Sequence, residues 1–395
     1  LLFKNLEEGE SKDKEVAMFV GGCVRNYLLS KKIDDIDIAT IFTPSEIKKK
    51  LQNTKFKIVD TGLDHSSVTV VSENKKFELT TLRKDLKTDG RYAEIETIDD
   101  WNEDSKRRDF TINAIYLNKK GKIFDPQQGI NDLNNNVVKF IGDPQRRIEE
   151  DFLRIIRFLR FTIQYNSQVE HSTVQAIKLK LNGIKNLSKE RVLSELLKIL
   201  NLENFFKIVH NKELLEIFIL VFPEFKNIQR LKNFEQVKNH LDYTVILLLS
   251  ILLVDLKGNQ EYFSHKYKVS NKICDNLNLL GEKFKESKAD KEFFKKNLKS
   301  NMYHIGVKNL KILFCINLLD KKKFQAKDIS FFKFINKISI PKFPFDGKFL
   351  LKKGIQQGKE IGIILKEAEN QWAQNNFNLS AEDFELIIKK NTISN

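Results

Sequence analysis

Two aspartates, Asp35 and Asp37, stand two residues apart in DIDIAT at 35–40. On a β-strand such a pair shares one face. The two charges repel unless a cation lies between them, and Mg²⁺ suits one or two carboxylates completed by phosphate oxygens. A metal held there lowers the pKa of an attacking hydroxyl and neutralises charge on a leaving pyrophosphate. The plain alternative is a polar strand end. Asp34 lies off the shared face and reads as solvated. Upstream, Gly21 and Gly22 end an expected strand and open an expected helix. Such a turn brings backbone N–H groups close to a phosphate, and a helix N-terminus favours anions. Arg25 sits one turn into that helix, where it either reaches the same phosphate or decorates the surface.

Three further groups of residues carry chemistry. Glu78, in KKFELTTLR, is a carboxylate on an expected strand with apolar neighbours, and it needs a partner. That partner is a metal, as a third ligand, or an arginine. In KRRDFTINAIYLN at 106–118, Arg107, Arg108 and Asp109 precede an apolar strand. Arginine suits triphosphate oxygens and aspartate accepts from a ribose hydroxyl; alone, the string reads as a surface salt-bridge cluster. RRIEEDFLRIIRFLRF at 146–161 reads as one strong helix, with Asp151, Arg154 and Arg157 at three-residue steps. One reading is an intrahelical ion pair. The other is recognition of a base: Asp151 accepts from an exocyclic amine and Arg154 donates to the adjacent ring nitrogen. Adenine and cytosine present that edge, whereas uracil and guanine place a carbonyl there.

The elements that must position these residues fall into two regions. Residues 1–140 alternate short β-branched runs with turns and helices; VAMFVGG, DIDIAT, SVTVVS, FELTTLR and INAIYLN read as strands. From about 145 the pattern becomes helical, as in ERVLSELLKIL and LENFFKIVH. The segment 83–106 is polar with poor periodicity and reads as a long, mobile loop. The net charge of +15 favours a polyanionic partner. Cys23, Cys274 and Cys315 are too few and too far apart for a disulfide framework or a cysteine-rich zinc site, and fit a reducing cytoplasm. The longest apolar run, 241–256, is too short to span a bilayer, and no signal peptide is visible.

Taken together, the strings GGCVRN, DIDIAT, FELTTLRKD, DGR, RRDFTINA, DPQQGINDL, FIGDPQRRIEEDFLRIIRFLRF and ERVLSELLKIL resemble, in order, the class II tRNA nucleotidyltransferase and bacterial poly(A) polymerase family. Weaker similarity continues to 343–362, and the chain looks closest to CCA-adding enzymes of α-proteobacterial type. The resemblance implies an α+β chain. A nucleotidyltransferase palm with a mixed sheet occupies 1–140. An all-α neck (141–200), body (201–300) and tail (301–395) follow, the tail binding tRNA. It implies Asp35 and Asp37 as catalytic metal ligands for Mg²⁺. Gly21, Gly22 and Arg25 become triphosphate contacts, Arg108 a nucleotide contact and Asp109 the ribose sensor. Glu150, Asp151 and Arg154 match a motif that reads the incoming base, Arg157 a phosphate contact, and Asn113 and Glu150 support the site. DPQQGINDL matches a segment that reshapes the site between C and A addition.

The implied reaction adds C, C and A to tRNA from CTP and ATP. The implied partner is tRNA, with no DNA and no membrane. Within the family the alternatives are a poly(A) polymerase or an enzyme adding only CC or only A. From another class, a non-catalytic RNA-binding protein stands against the intact Asp35 and Asp37. A dinucleotide-binding fold fails because no G-x-G-x-x-G occurs. Asn26, His65-Ser66-Ser67 and Phe349 depart from the family's usual Asp, His-Gly-Thr and Asp.

Overall fold

Alternation decides the first layer. In β2 (Ile36–Thr40), Ile38 is fully buried and packs with Leu2, Leu6, Ile47, Leu51, Val68, Val70 and Leu79. The helices Leu2–Leu6 and Pro44–Leu51 supply part of that core and cover this face of a sheet. Because strand residues alternate, Asp37 and Ala39 point to the opposite face, where Ala39 packs with Met18, Val20, Leu82 and Tyr116. The helix Pro44–Leu51 starts on a reciprocal cap: Thr43 accepts from Glu46 N at 3.4 Å, and Glu46 accepts from Thr43 N at 2.7 Å.

The computed structural model describes all residues except 63–65, 74, 89–92, 322 and 393–395. It divides into two compact units, Leu1–Pro223 and Glu224–Asn395. In the first, the remaining strands are β1 (Ala17–Val20), β3 (Lys57–Gly62), β4 (Ser67–Ser72), β5 (Lys75–Thr81), β6 (Arg83–Thr88), β7 (Ala93–Thr97), β8 (Tyr116–Leu117) and β9 (Ile123–Phe124). Six of them and β2 form one seven-stranded mixed sheet in the order β3-β4-β5-β2-β1-β8-β9, with β2 and β5 parallel and the other pairs antiparallel. Behind the sheet in sequence come helices, so the α+β class expected from the sequence is the class observed.

Three expectations need correction. The described residues of 83–106 form two strands and a helix instead of a long loop. β6 and β7 form a separate antiparallel ribbon, and Trp101–Lys106 is a helix whose Asp100 cap accepts from Asn102 N at 2.7 Å. A ribbon apart from the main sheet has no core-facing stripe to announce it; Leu86, for one, is exposed. The DGR string at 89–91 and His65 lie outside the described residues. INAIYLN is mostly not a strand: Thr111–Asn113 is a 3₁₀ turn and only Tyr116–Leu117 is paired. Its run of buried residues gave no periodicity to separate the two readings. Finally, 146–161 is not one helix. It breaks between Pro144–Glu150 and Leu153–Tyr165, with Asp151 extended at φ −156° and ψ 107°.

The second unit is helical. Its centre is Val245–Leu253, with every residue from Leu247 to Leu253 buried. Buried Arg230 donates to the carbonyls of Ile251 (2.9 Å) and Val254 (2.8 Å), satisfying groups at that helix end, and to Asp320 at 2.7 Å. Phe349, one of the departures, packs its ring 5.0 Å from Phe345 and 5.6 Å from Phe384 beside a terminal apolar cluster.

Candidate active site

The chain leaves β1 through Gly21, whose φ of 72° and ψ of −127° suit glycine. A Cβ there would stand 3.8 Å from Asp37 Oδ2, so the turn lies against that carboxylate. Cys23 in the following helix (Gly22–Leu28) donates its thiol to the carbonyls of Val20 at 3.2 Å and Asp37 at 3.4 Å. That thiol fixes the turn to β2. Asn26, another departure, donates to Lys32 O at 2.9 Å and closes the loop ahead of β2.

A cleft of about 660 Å³ opens above this turn. Gly21, Gly22, Arg25, Asp35, Asp37, Arg108, Asp109, Asn113, Asp151, Arg154 and Arg157 all line it. The structure therefore gathers every expected residue except Glu78 and Glu150. Arg107, read with Arg108 as a candidate triphosphate contact, also lines it, as do Arg83, Arg160, Phe161 and Lys198, which had no role assigned from the sequence. Among the described residues, eight Arg and Lys side chains against four Asp give the lining a positive excess, which suits a polyphosphate.

The acidic corner carries the opposite sign. Glu78 pairs in register with Asp37 across the parallel strands, so both carboxylates share a face. Glu78 is exposed, so it is not the buried carboxylate that its apolar neighbours suggested. Asp35 is exposed and Asp37 half-buried. Burial, then Glu78 and Asp35, push the Asp37 carboxyl up to about 6 against the pull of Arg108 and Arg25. A divalent cation relieves this crowding, so Asp35 and Asp37 fit Mg²⁺ as ligands. Among the described residues no three acidic, histidine or cysteine side chains converge as a closed metal site.

The basic wall is held from behind by buried carboxylates. Asp104, fully buried, accepts from Arg107 Nε (2.8 Å), Arg108 Nη2 (3.0 Å) and the Tyr116 hydroxyl (2.7 Å). Burial works against its charge, but Arg108 and Arg107 prevail and bring its carboxyl down to about 2. Asp109 accepts from Phe110 N (2.9 Å) and Asn113 (2.8 Å) on one oxygen, and from Arg157 Nε (2.7 Å) on the other. Its carboxyl too falls to about 2, because Arg157 and the Asn113 bond outweigh burial. Asn113 passes the network on by accepting from Arg25, whose Nε donates to the Tyr165 hydroxyl. Glu195, 3 % exposed, accepts from Arg160 at 2.8 Å and Lys198 at 2.9 Å. The Phe161 ring lies 4.1, 4.9 and 5.5 Å from the guanidinium carbons of Arg160, Arg25 and Arg157, and its face offsets their mutual repulsion.

Asp151 and Arg154 do not pair with each other. Asp151 accepts from Leu153 N at 3.0 Å and Arg191 Nη2 at 2.7 Å. Arg154 donates to Glu150 at 2.6 Å and to the carbonyls of Arg147 (2.7 Å) and Arg107 (3.2 Å). Glu150 is thus a brace behind the cleft, shared with Arg147. The segment 125–133 is tied to the same wall: Gln127 donates to Ser105 at 2.8 Å and Thr111 to Asp132 at 2.6 Å.

Asp104→Ala strands two guanidinium groups and a hydroxyl at a buried point. The expected loss is about 3–5 kcal/mol of stability, read by urea unfolding. A loss below about 1 kcal/mol would mean that water replaces the carboxylate.

Residues 17–139 match the family model described as the poly A polymerase head domain. Residues 168–229 match the probable RNA and SrmB-binding site of polymerase A. Fold and site thus define a nucleotidyltransferase. The human protein named CCA tRNA nucleotidyltransferase 1, mitochondrial, is 30% identical over 98% of this chain and 89% of its own length. The CCA-adding enzyme of Staphylococcus epidermidis is 34% identical over 65% of the chain and 62% of its own. The chain belongs to the family of CCA-adding tRNA nucleotidyltransferases. Its fold is that of the Bacillus stearothermophilus CCA-adding enzyme solved with CTP (TM-score 0.70, 21% identity, covering 99% of this chain and 96% of that one).

Proposed function

We propose that this enzyme adds C, C and A to the 3′ end of tRNA from CTP and ATP, releasing pyrophosphate. The observation that carries this reading is one cleft in which the Asp35–Asp37 pair and the Asp151 and Arg154 side chains meet. The RNA 3′-hydroxyl attacks the α-phosphorus, its proton is released, and the bond to pyrophosphate breaks. Bound at Asp35 and Asp37, Mg²⁺ would activate the hydroxyl and shield the phosphates. Arg25, Arg108 and Arg157, with the Gly21–Gly22 turn, hold the triphosphate. Asp109 accepts from the ribose in exchange for one of its present donors. Asp151 and Arg154 read the base edge; each Asp151 oxygen keeps a lone pair beyond its present bond.

The family relatives' names support CCA addition over the poly(A) or partial alternatives. The ordered motif strings support the α-proteobacterial affinity. Free thiols at Cys23, Cys274 and Cys315 support a cytoplasmic setting, although the mouse and human relatives are named mitochondrial. Among the described residues no helix is long and apolar enough to cross a membrane. We assign base recognition to 141–200 and tRNA binding to the helical body and tail.

The direct test gives tRNA ending in its discriminator base one labelled nucleotide at a time, then CTP and ATP together, and sizes the products. Growth by three residues only with both nucleotides supports the reading; a long A tract or a halt after two residues overturns it. Binding of tRNA by the full chain should weaken steeply between 50 and 200 mM salt, by about 10³-fold if six phosphates are neutralised. A filter-binding affinity that ignores salt would show that phosphates are not the main contact.

A further inference from the structure

The helix break that aims Asp151 is seated outside the cleft. Asp151 is extended while Phe152 already takes the helical conformation, and the two side chains meet different surroundings. Asp151 lines the cleft. Phe152 packs instead on Gly183, in the 3₁₀ segment Leu181–Asn186. A Cβ built on Gly183 would stand 2.1 Å from Cδ1 and Cε1 of that ring and 2.3 Å from Cζ. Gly183 does not occupy the left-handed region, so its backbone does not demand glycine; the ring does. A few residues later, Ser188 caps the helix Lys189–Leu200 by accepting from Arg191 N at 3.3 Å. Arg191 then holds the Asp151 carboxylate at 2.7 Å. The stretch 183–191 therefore grips both residues of the Asp151–Phe152 dipeptide, with a guanidinium on the first and a steric seat on the second.

We propose that the Phe152–Gly183 contact sets nucleotide choice by holding Asp151 at its angle, which makes both residues positioning residues for base recognition. The inference rests on Asp151 and Arg154 reading the base. An added methyl at Gly183 pushes the ring away, and the dipeptide turns with it. A displacement of about 1 Å at a reacting constellation changes rates by up to about 10²-fold. The carboxylate would then meet the amine of cytosine or adenine poorly and lose its advantage over a carbonyl edge.

The test compares full-length wild type, Gly183→Ala, Phe152→Ala, the double variant and Asp151→Ala. Single-turnover incorporation of CTP, ATP, UTP and GTP onto tRNA is measured alongside the Tm of each. Gly183→Ala and Phe152→Ala should each raise UTP and GTP incorporation relative to CTP and ATP by about tenfold or more, within the same limit. In the double variant the methyl has no ring to displace, so its ratios should equal those of Phe152→Ala alone. A merely structural contact would lower Tm and slow all four nucleotides in proportion. Wild-type ratios in both single variants overturn the inference, as does a Gly183→Ala effect that adds in full to Phe152→Ala. If Asp151→Ala also keeps wild-type ratios, base reading by Asp151 has failed; if Asp151→Ala alone shifts them, only the positioning role has. Should Gly183→Ala not fold, Phe152→Ala carries the test.

Discussion

Asp37→Ala should abolish nucleotide incorporation while leaving the protein as stable as wild type or slightly more so. Asp37 is crowded by Glu78 and Asp35 and partly desolvated, and its carboxyl is held unusually proton-hungry for that reason. Removing it relieves repulsion in the folded state, the usual trade of stability against function at such a site. The chemistry suffers instead. A metal ligated there is worth several kcal/mol of transition-state charge stabilisation, and about 4 kcal/mol is about 10³ in rate. Asp35→Ala should match it, since two-residue spacing gives both carboxylates one face. Glu78→Ala tests the third position: a similar loss makes Glu78 a ligand, and near-normal turnover leaves it a neighbour that tunes Asp37. Near-normal rates for both Asp35→Ala and Asp37→Ala, with thermal melts in hand, would dispose of the metal site.

The second large effect falls on base choice. A site whose buried polar groups go unpaired rejects a wrong substrate by about 10⁴–10⁵. Asp151→Ala removes the acceptor for the amine, so UTP and GTP should gain on CTP and ATP. It also takes one acceptor from Arg191 and the acceptor of Leu153 N, so Asp151→Asn is the better-matched companion: it keeps the shape and removes the charge. Arg154→Ala should relax choice as well, with a greater loss of rate. Arg154 joins Glu150 to the carbonyls of Arg147 and Arg107, and without it the wall behind the nucleotide loosens. Single-turnover rates for the four nucleotides decide the matter. Equal losses for every nucleotide at unchanged ratios would leave Asp151 and Arg154 as braces and end the base-reading idea.

The turn at Gly21–Gly22 and the pair at Asp35 and Asp37 were legible because their chemistry needs particular residue types at short spacings. Arg25, Asp109 and Arg157 were named through the family resemblance of the strings that hold them, and the cleft holds all three. What the sequence concealed depends on distant chain. RRIEEDFLRIIRFLRF has the periodicity of one helix; the break at Asp151 comes with a ring seated on a glycine some thirty residues away. Glu195 was not singled out, yet it lies on the same stripe as Val192, Leu196 and Ile199, all buried. A carboxylate on an apolar stripe was the available signal, and Lys198 three residues on was its partner. Arg160 and Phe161 gave no such sign, because their place in the cleft follows from the packing of Leu153–Tyr165 against Lys189–Leu200. At Glu78 apolar neighbours in sequence suggested burial, whereas its strand face is open to water.

The boundary at Pro223 bears on how the molecule comes into being. Every side chain lining the cleft, from Gly21 to Lys198, belongs to the first unit. Domains tend to fold N-terminal first as synthesis proceeds at about 5–20 residues per second. The residues after Pro223 therefore take the ribosome roughly 10–35 s more at that pace. For that interval the nascent chain can own a finished nucleotide pocket before its second unit has been made.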